Sequence, residues 1–596
     1  MTQPAFSVVN FFEIFIKKVK NDIMTSMFKE IFKKHISNIL ADLGVENPLV
    51  TLDTPTHFHL GDYSTSVALV YAKELGKKPM DVAEEIKEKL EEKIKEEKIA
   101  YISKIETVAP GFINFFLSSE YFVHKVGEII SQKEKFGENK NLDKQKIMVE
   151  FTDANPFKEF HIGHFMSNSI GESISRLLSF GGAEVKRANW QGDIGMHVAK
   201  AVWGMIQLGL DEKATPNDLG KAYAYGSEKS EDESVKKEII LINKKIFSRE
   251  DEKINHTYNL GRKISLDYFE TIYKKLGTKF DYYFFESEEG PEGKAIVEEF
   301  LKKGVFEESD GAIVFKGEKY DPTLHTRVFI NSEGLPTYEA KELGLNRKKF
   351  IKEPSLSHSV IITGNEIREY FKVLLAVMHL VYPDIAEKTK HIPHGMLRLP
   401  QGKMSSRTGN VITAEALISE VKEKILEKMT GREMTNDEKE GTAEMVAIGA
   451  IKYSILRQAI GGDIIFDFDK SISFEGDSGP YLQYSAVRAN SILKKAEMSK
   501  CLFDTKIPDD WQTTNLERIL ERYPSVVEKA TQEYAPHYVV TYLIQLAGEF
   551  NSFYASHTII DEKDSTSPYR LALTKAFSEV IVSGLDLLGI KVPNQM

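Results

Sequence analysis

The chain is nearly without cysteine: Cys501 is the one thiol among 596 residues. That excludes an internal disulfide framework and a cysteine-rich zinc site, and it fits a reducing compartment in which Cys501 is an inert thiol. A long apolar run is also missing. The stretch from Phe6 to Ile16 is interrupted by Glu13 and has neither a basic region before it nor a small-residue cleavage site after it. Neither a signal peptide nor a membrane span is expected, and the expected location is the cytoplasm. With 42% hydrophobic and 28% charged residues and no long low-complexity tract, the composition is that of a folded protein. Positive charge is in deficit, the net value being -11. This argues against indiscriminate nucleic-acid binding while permitting a specific RNA that meets local basic grooves.

The length exceeds what one hydrophobic core holds, and roughly three or four domains are expected. Residues 1–130 combine amphipathic helices (Ile31 to Leu43, and a charged one over 81–98) with a strand running to Leu117 after the turn pair Pro110-Gly111. The Lys-, Asn- and Glu-rich stretch 131–145 is expected to be a linker. From Lys146 short apolar runs alternate with helices (Ile147 to Thr152, Glu184 to Ala188, Ser359 to Thr363), which predicts a parallel α/β sheet over 146–475. A charged helical stretch at about 205–276 is expected as an insertion. Beyond 476 only helical periodicity remains, as in Tyr542, Leu546, Phe550 and Phe553. The expected class is α/β: a Rossmann-type parallel-sheet domain, with an α+β domain before it and an all-α bundle to residue 596.

Two clusters carry chemistry. In the first, His161-Ile162-Gly163-His164 follows a strand and opens a helix that ends at Gly181-Gly182. The free N–H groups and positive dipole end of such a helix suit an anion or nucleotide, and Gly163 would let an adenine or a phosphate chain approach the backbone. Two surface histidines capping a helix, or two metal ligands without a third, are the other readings. In the second cluster, Gly402-Lys403-Met404-Ser405-Ser406-Arg407 is a basic, hydroxyl-rich loop. It could neutralise a pyrophosphate leaving group, or be a solvated turn.

Taken together, a HIGH element early in the sheet and a KMSKS-like element about 240 residues later resemble the class I aminoacyl-tRNA synthetases. The flanks resemble the arginyl-tRNA synthetases: Asn155-Pro156 before the histidines, Gly192-Asp193-Ile194-Gly195 after the second strand, and Lys-Met-Ser-Ser-Arg-Thr-Gly-Asn at the loop. So do Ala109-Pro110-Gly111-Phe112 near the start and Gly479-Pro480-Tyr481 with Arg488 toward the end. The resemblance covers nearly the whole chain. It implies an N-terminal domain that contacts the tRNA elbow and a helical domain that binds the anticodon.

The implied reaction joins L-arginine to ATP as arginyl-adenylate, releasing pyrophosphate, and then moves arginine to the terminal adenosine of tRNA(Arg). ATP enters as its Mg2+ complex, no protein-bound zinc is expected, and tRNA is normally required for adenylate formation. The resemblance gives His161, His164, Lys158, Lys403, Ser405 and Arg407 catalytic roles, and Gly163, Met404 and Ser406 contact with ATP. Arginine would meet Asn155, Glu286, Tyr338 and Glu342. A guanidinium calls for carboxylates, because it donates paired, planar hydrogen bonds. This sequence departs from the family at Glu342, where aspartate is usual, at Asp153, where serine is common, and at Asn365-Glu366, where a glutamine is common. It also has Ser406 where the loop usually has lysine, a charge that Lys158 is expected to replace. A monomer without DNA or membrane partners is expected. The alternatives are a glutamate- or cysteine-specific relative, a non-catalytic tRNA-binding paralogue and a small-molecule nucleotidylyltransferase.

Overall fold

The computed structural model describes residues 28–97, 101–399, 412–431, 433–508 and 511–596. The loop holding Lys403, Met404, Ser405, Ser406 and Arg407 lies outside the described residues. The chain forms two compact units.

One unit takes in the chain up to Phe136 together with 485–525 and 542–583. Its strands β1 (Tyr63–Thr65), β2 (Ile102–Val108) and β3 (Phe112–Leu117) form an antiparallel sheet in the order β1-β3-β2. The helices Phe28–Asp42 and Pro79–Glu97 turn Phe32, Ile36, Val82, Ile86 and Leu90 onto it, so their apolar stripes meet Ile113 and Phe115 in a single core. The helix Asn515–Glu521 is joined to this layer by polar contacts. Asp62 accepts the Leu117 N–H at 2.8 Å and pairs with Arg518, while the Tyr121 hydroxyl donates to Glu521 at 3.2 Å.

The other unit contains 137–484, 526–541 and 584–596. At its centre five strands run parallel: β4 (Lys146–Glu150), β5 (Glu184–Gln191), β6 (Tyr282–Phe285), β10 (Leu356–Gly364) and β11 (Thr389–His394), ordered β11-β10-β4-β5-β6. The order reverses between β4 and β10. That is the switch point of a doubly wound sheet, where the carboxyl ends of the strands leave a crevice. The helix Ile162–Phe180 is buried over most of its length against this sheet. Gly171 makes the close approach possible, since a Cβ there would fall 2.1 Å from the Phe151 ring.

The expected insertion appears as the helices Met196–Leu208, Pro216–Lys229, Glu233–Ser248 and Glu252–Leu276, packed around Val198, Val202, Ile239 and Tyr258. An element not foreseen is the antiparallel sheet β7 (Glu307–Ser309), β8 (Ala312–Lys316) and β9 (Thr326–Ile330). Its strands are too short for their alternation to stand out from the flanking turns.

Candidate active site

After β4 the backbone passes through Thr152 and Asp153 at φ 81° and 50°, a region that a β-branched residue adopts only when its surroundings impose it. The constraints are visible. Thr152 N–H donates to Ser167 Oγ at 2.9 Å, Asn168 Nδ2 donates to Thr152 Oγ1 at 3.0 Å, and Asp153 Oδ1 accepts the Trp190 N–H at 3.0 Å. This bend delivers His161 to the start of the helix Ile162–Phe180 as its N-cap.

The two histidines cap that helix reciprocally. His161 Nδ1 accepts from the N–H groups of Gly163 (3.1 Å) and His164 (3.3 Å), and His164 Nδ1 accepts from His161 N–H (3.2 Å). The rings stack with centroids 3.5 Å apart. A neutral imidazole whose Nδ1 accepts carries its proton on Nε2, so both rings present an Nε2–H donor. Burial, helped by the Lys158 ammonium, pushes the His161 pKa down to about 4. Burial, the neighbouring His161 and Lys158 hold His164 well below the usual histidine range. Gly163 serves this cap directly: a Cβ there would sit 3.0 Å from the His161 ring.

Both histidines line a cleft of about 720 Å³ over the carboxyl ends of β4 and β10. Its acidic end is made by Glu150, Asp153, Glu286 and Glu342, with Glu339 and Glu366 also on the lining. Among the described lining residues only Arg327 carries positive charge. Two lysines stand behind the wall: Lys341 Nζ is 2.6 Å from Glu286 Oε2, and Lys349 Nζ is 2.7 Å from Glu150 Oε2. Glu342 Oε1 is buried without a hydrogen-bond partner among the described residues. Burial, reinforced by the Glu150 carboxylate, raises the carboxyls of Glu342 and Asp153 well above their ordinary range. Burial also raises Glu286, although Lys341 opposes it. Three buried glutamates and the half-buried Asp153, balanced by two lysines, leave a pocket that favours an incoming cation.

Asp193 holds this wall in place. It accepts Ser287 N–H (2.9 Å), Ser287 Oγ (2.7 Å), the Tyr258 hydroxyl (3.0 Å) and Arg262 Nε (3.0 Å), fixing the first turn of the helix Glu286–Lys302 and so the direction of Glu286. Asn155 Oδ1 accepts the Gly192 N–H at 3.1 Å.

Of the residues singled out in the sequence, Asn155, His161, Gly163, His164, Glu286, Tyr338 and Glu342 line this one cleft. Tyr338 and Glu342 lie one turn apart on the helix Tyr338–Lys352, Tyr338 exposed and Glu342 buried. Lys158 is not on the lining; its ammonium sits 5.1 Å over the Tyr223 ring. Glu150, Lys341, Lys349 and His394 carry no expected role from the sequence. A charged residue closing the apolar run Ile147-Met148-Val149, and Lys349 seven residues after Glu342 on one helix, were the available signals.

A sheet in this order, with a histidine-capped helix at its switch point, is the framework of a class I aminoacyl-tRNA synthetase. Residues 125–468 match the family described as tRNA synthetases class I (R), catalytic domain. Residues 482–596 match the DALR anticodon binding domain and 27–117 the arginyl tRNA synthetase N terminal domain. The arginine–tRNA ligase of Halothermothrix orenii is 30% identical over 576 residues, spanning 96% of this chain and all of its own. That of Borreliella burgdorferi is 31% identical over 597 residues, spanning 95% of this chain and 99% of its own. The fold is shared with an arginyl-tRNA synthetase of Thermus thermophilus, with a TM-score of 0.77 at 24% identity over 96% of this chain and all of that one. The chain belongs to the arginyl-tRNA synthetases.

Proposed function

We propose that this protein activates L-arginine with ATP and transfers it to the terminal adenosine of tRNA(Arg). The observation that carries the reading is the excess of buried carboxylate at one end of the cleft, beside the histidine-capped helix. Glu286 and Glu342 receive the guanidinium, with Tyr338 at the mouth and Asn155 anchoring the loop beside Gly192. The free oxygen of Glu342 suits a donor that the protein itself does not supply.

The triphosphate lies at the opposite end, along the helix start at Gly163, where the Nε2–H groups of His161 and His164 donate to its oxygens without transferring protons. In-line displacement at the α-phosphorus needs alignment and charge stabilisation more than a base. Lys158, close enough to depress both histidines, adds positive charge. Lys403, Ser405 and Arg407 act on the pyrophosphate, with Met404 and Ser406 against ATP. Mg2+ arrives with the nucleotide.

The N-terminal α+β domain, about 1–130, meets the tRNA elbow, and the helical domain beyond 476 meets the anticodon. The stretch 131–145 links the former to the catalytic domain, 146–475. The protein acts as a monomer in the cytoplasm, without DNA or membrane partners. Arginine-dependent ATP–pyrophosphate exchange, with and without tRNA, tests the reading: exchange that needs both arginine and tRNA supports it, and no exchange in either condition overturns it.

A further inference from the structure

The cleft holds a third buried histidine whose proton sits on the other nitrogen. His394, at the end of β11 and 5% exposed, has Nδ1 2.7 Å from the Gly395 carbonyl oxygen. A carbonyl only accepts, so Nδ1 carries the proton, and Nε2 is left as a bare acceptor. Among the described residues Nε2 has no partner. Burial keeps the ring toward its neutral form. The arrangement is rigid. A Cβ on Gly395 would fall 2.1 Å from the Gly462 carbonyl oxygen, Met396 N–H donates to Asp463 at 2.9 Å, and Ile464 N–H donates to Met396 O at 2.8 Å.

Ile362, Phe371, Met396 and Leu397 share the cleft lining with His394, as does Glu366, whose carboxylate acts on the ring; a buried acceptor without a partner is unfavourable until a donor reaches it. We propose that His394 Nε2 accepts a hydrogen bond from the 6-amine of adenine and selects the nucleotide. This rests on the proposed activity, which assigns the acidic end to arginine and the helix start to phosphates, leaving this end for the base. The apolar side chains on this lining suit the faces of a base better than a ribose. A pure acceptor also discriminates an amine from a 6-oxo group, whereas a ribose hydroxyl can both donate and accept.

The test compares ATP with purine riboside triphosphate, which lacks the 6-substituent, in arginine-dependent pyrophosphate exchange with tRNA present. The native protein should use the analogue about tenfold less efficiently, as expected for one buried hydrogen bond, with the difference in nucleotide KM and the arginine KM unchanged. In His394→Phe that preference should vanish. In His394→Gln, whose amide can donate or accept, inosine triphosphate should become a better substrate relative to ATP. Equal use of ATP and purine riboside triphosphate by the native protein overturns the proposal, and needs no variant to fold. So does a His394→Phe effect that disappears on 2′- or 3′-deoxy-ATP instead, which would assign the acceptor to the ribose. Absence of exchange with ATP itself would overturn the proposed activity instead.

Discussion

Lys349 Nζ lies 2.7 Å from Glu150 Oε2, with the side chains 0% and 1% exposed. Glu150 ends the central strand and Lys349 comes from the helix that also carries Glu342, so one ion pair joins the sheet to the wall of the cleft. Lys349 also lowers the pKa of both Glu342 and Asp153.

Replacing Lys349 by methionine would leave the neighbouring Glu150, Glu342 and Asp153 without that cation. Removing one member of a buried pair costs about 3–5 kcal/mol, and Lys349→Met is expected to lose stability of that order at pH 7.5 by urea denaturation. The loss should shrink as pH falls, because protonating the acids relieves the uncompensated charge. A loss independent of pH would argue for packing alone.

Glu342→Gln should act in opposite directions on the empty and the arginine-bound protein. The unliganded form gains stability, because a carboxyl crowded by Glu150, Asp153 and Glu286 is gone. Arginine binding should weaken by about 2–5 kcal/mol, the usual loss for a buried charge partner. Because the Glu342 pKa is raised, arginine should bind more tightly as pH rises, with release of a proton that calorimetry in buffers of different ionisation enthalpy detects. Glu342→Gln should reduce that release.

His161→Asn separates capping from catalysis. The asparagine oxygen can still accept from the Gly163 and His164 N–H groups, so thermal stability should change little. The Nε2–H donor is lost, and adenylation should slow by about 10²–10³, as for a missing oxyanion donor. Unchanged kcat would remove His161 from the mechanism.

The depressed histidines also give a pH signature. With folded-state pKa values below the ordinary 6.5, the folded protein binds fewer protons than the unfolded chain. Their contribution to stability is fully present above pH 6.5 and is lost as pH falls toward 4. Urea midpoints should fall across that window, and the fall should be smaller in His161→Asn.

Lys158→Ala should lower the adenylation rate far more than the affinity for arginine, since its charge lies near the histidines and not on the acidic wall. Pyrophosphate exchange measured against arginine concentration separates the two, and an unchanged rate would exclude the role.

The histidine-capped helix, the alternation of short strands with helices and the helical C-terminal part were legible because each is local: a strand followed by a capped helix, or a repeat of three and four residues. Asn155, Glu286, Tyr338 and Glu342 were legible only through family resemblance, since nothing in their own segments marks a pocket. The sequence by itself determined the class of fold and the family. Only the tertiary structure decided the electrostatics. It brought Glu150 and Asp153, from one segment, within reach of Glu286 and Glu342 from two others, set Lys341 and Lys349 behind them, and gave His161 and His394 opposite tautomers. Charge balance and proton position depend on distances between segments far apart in the chain, and those distances exist only once the sheet has closed on its helices.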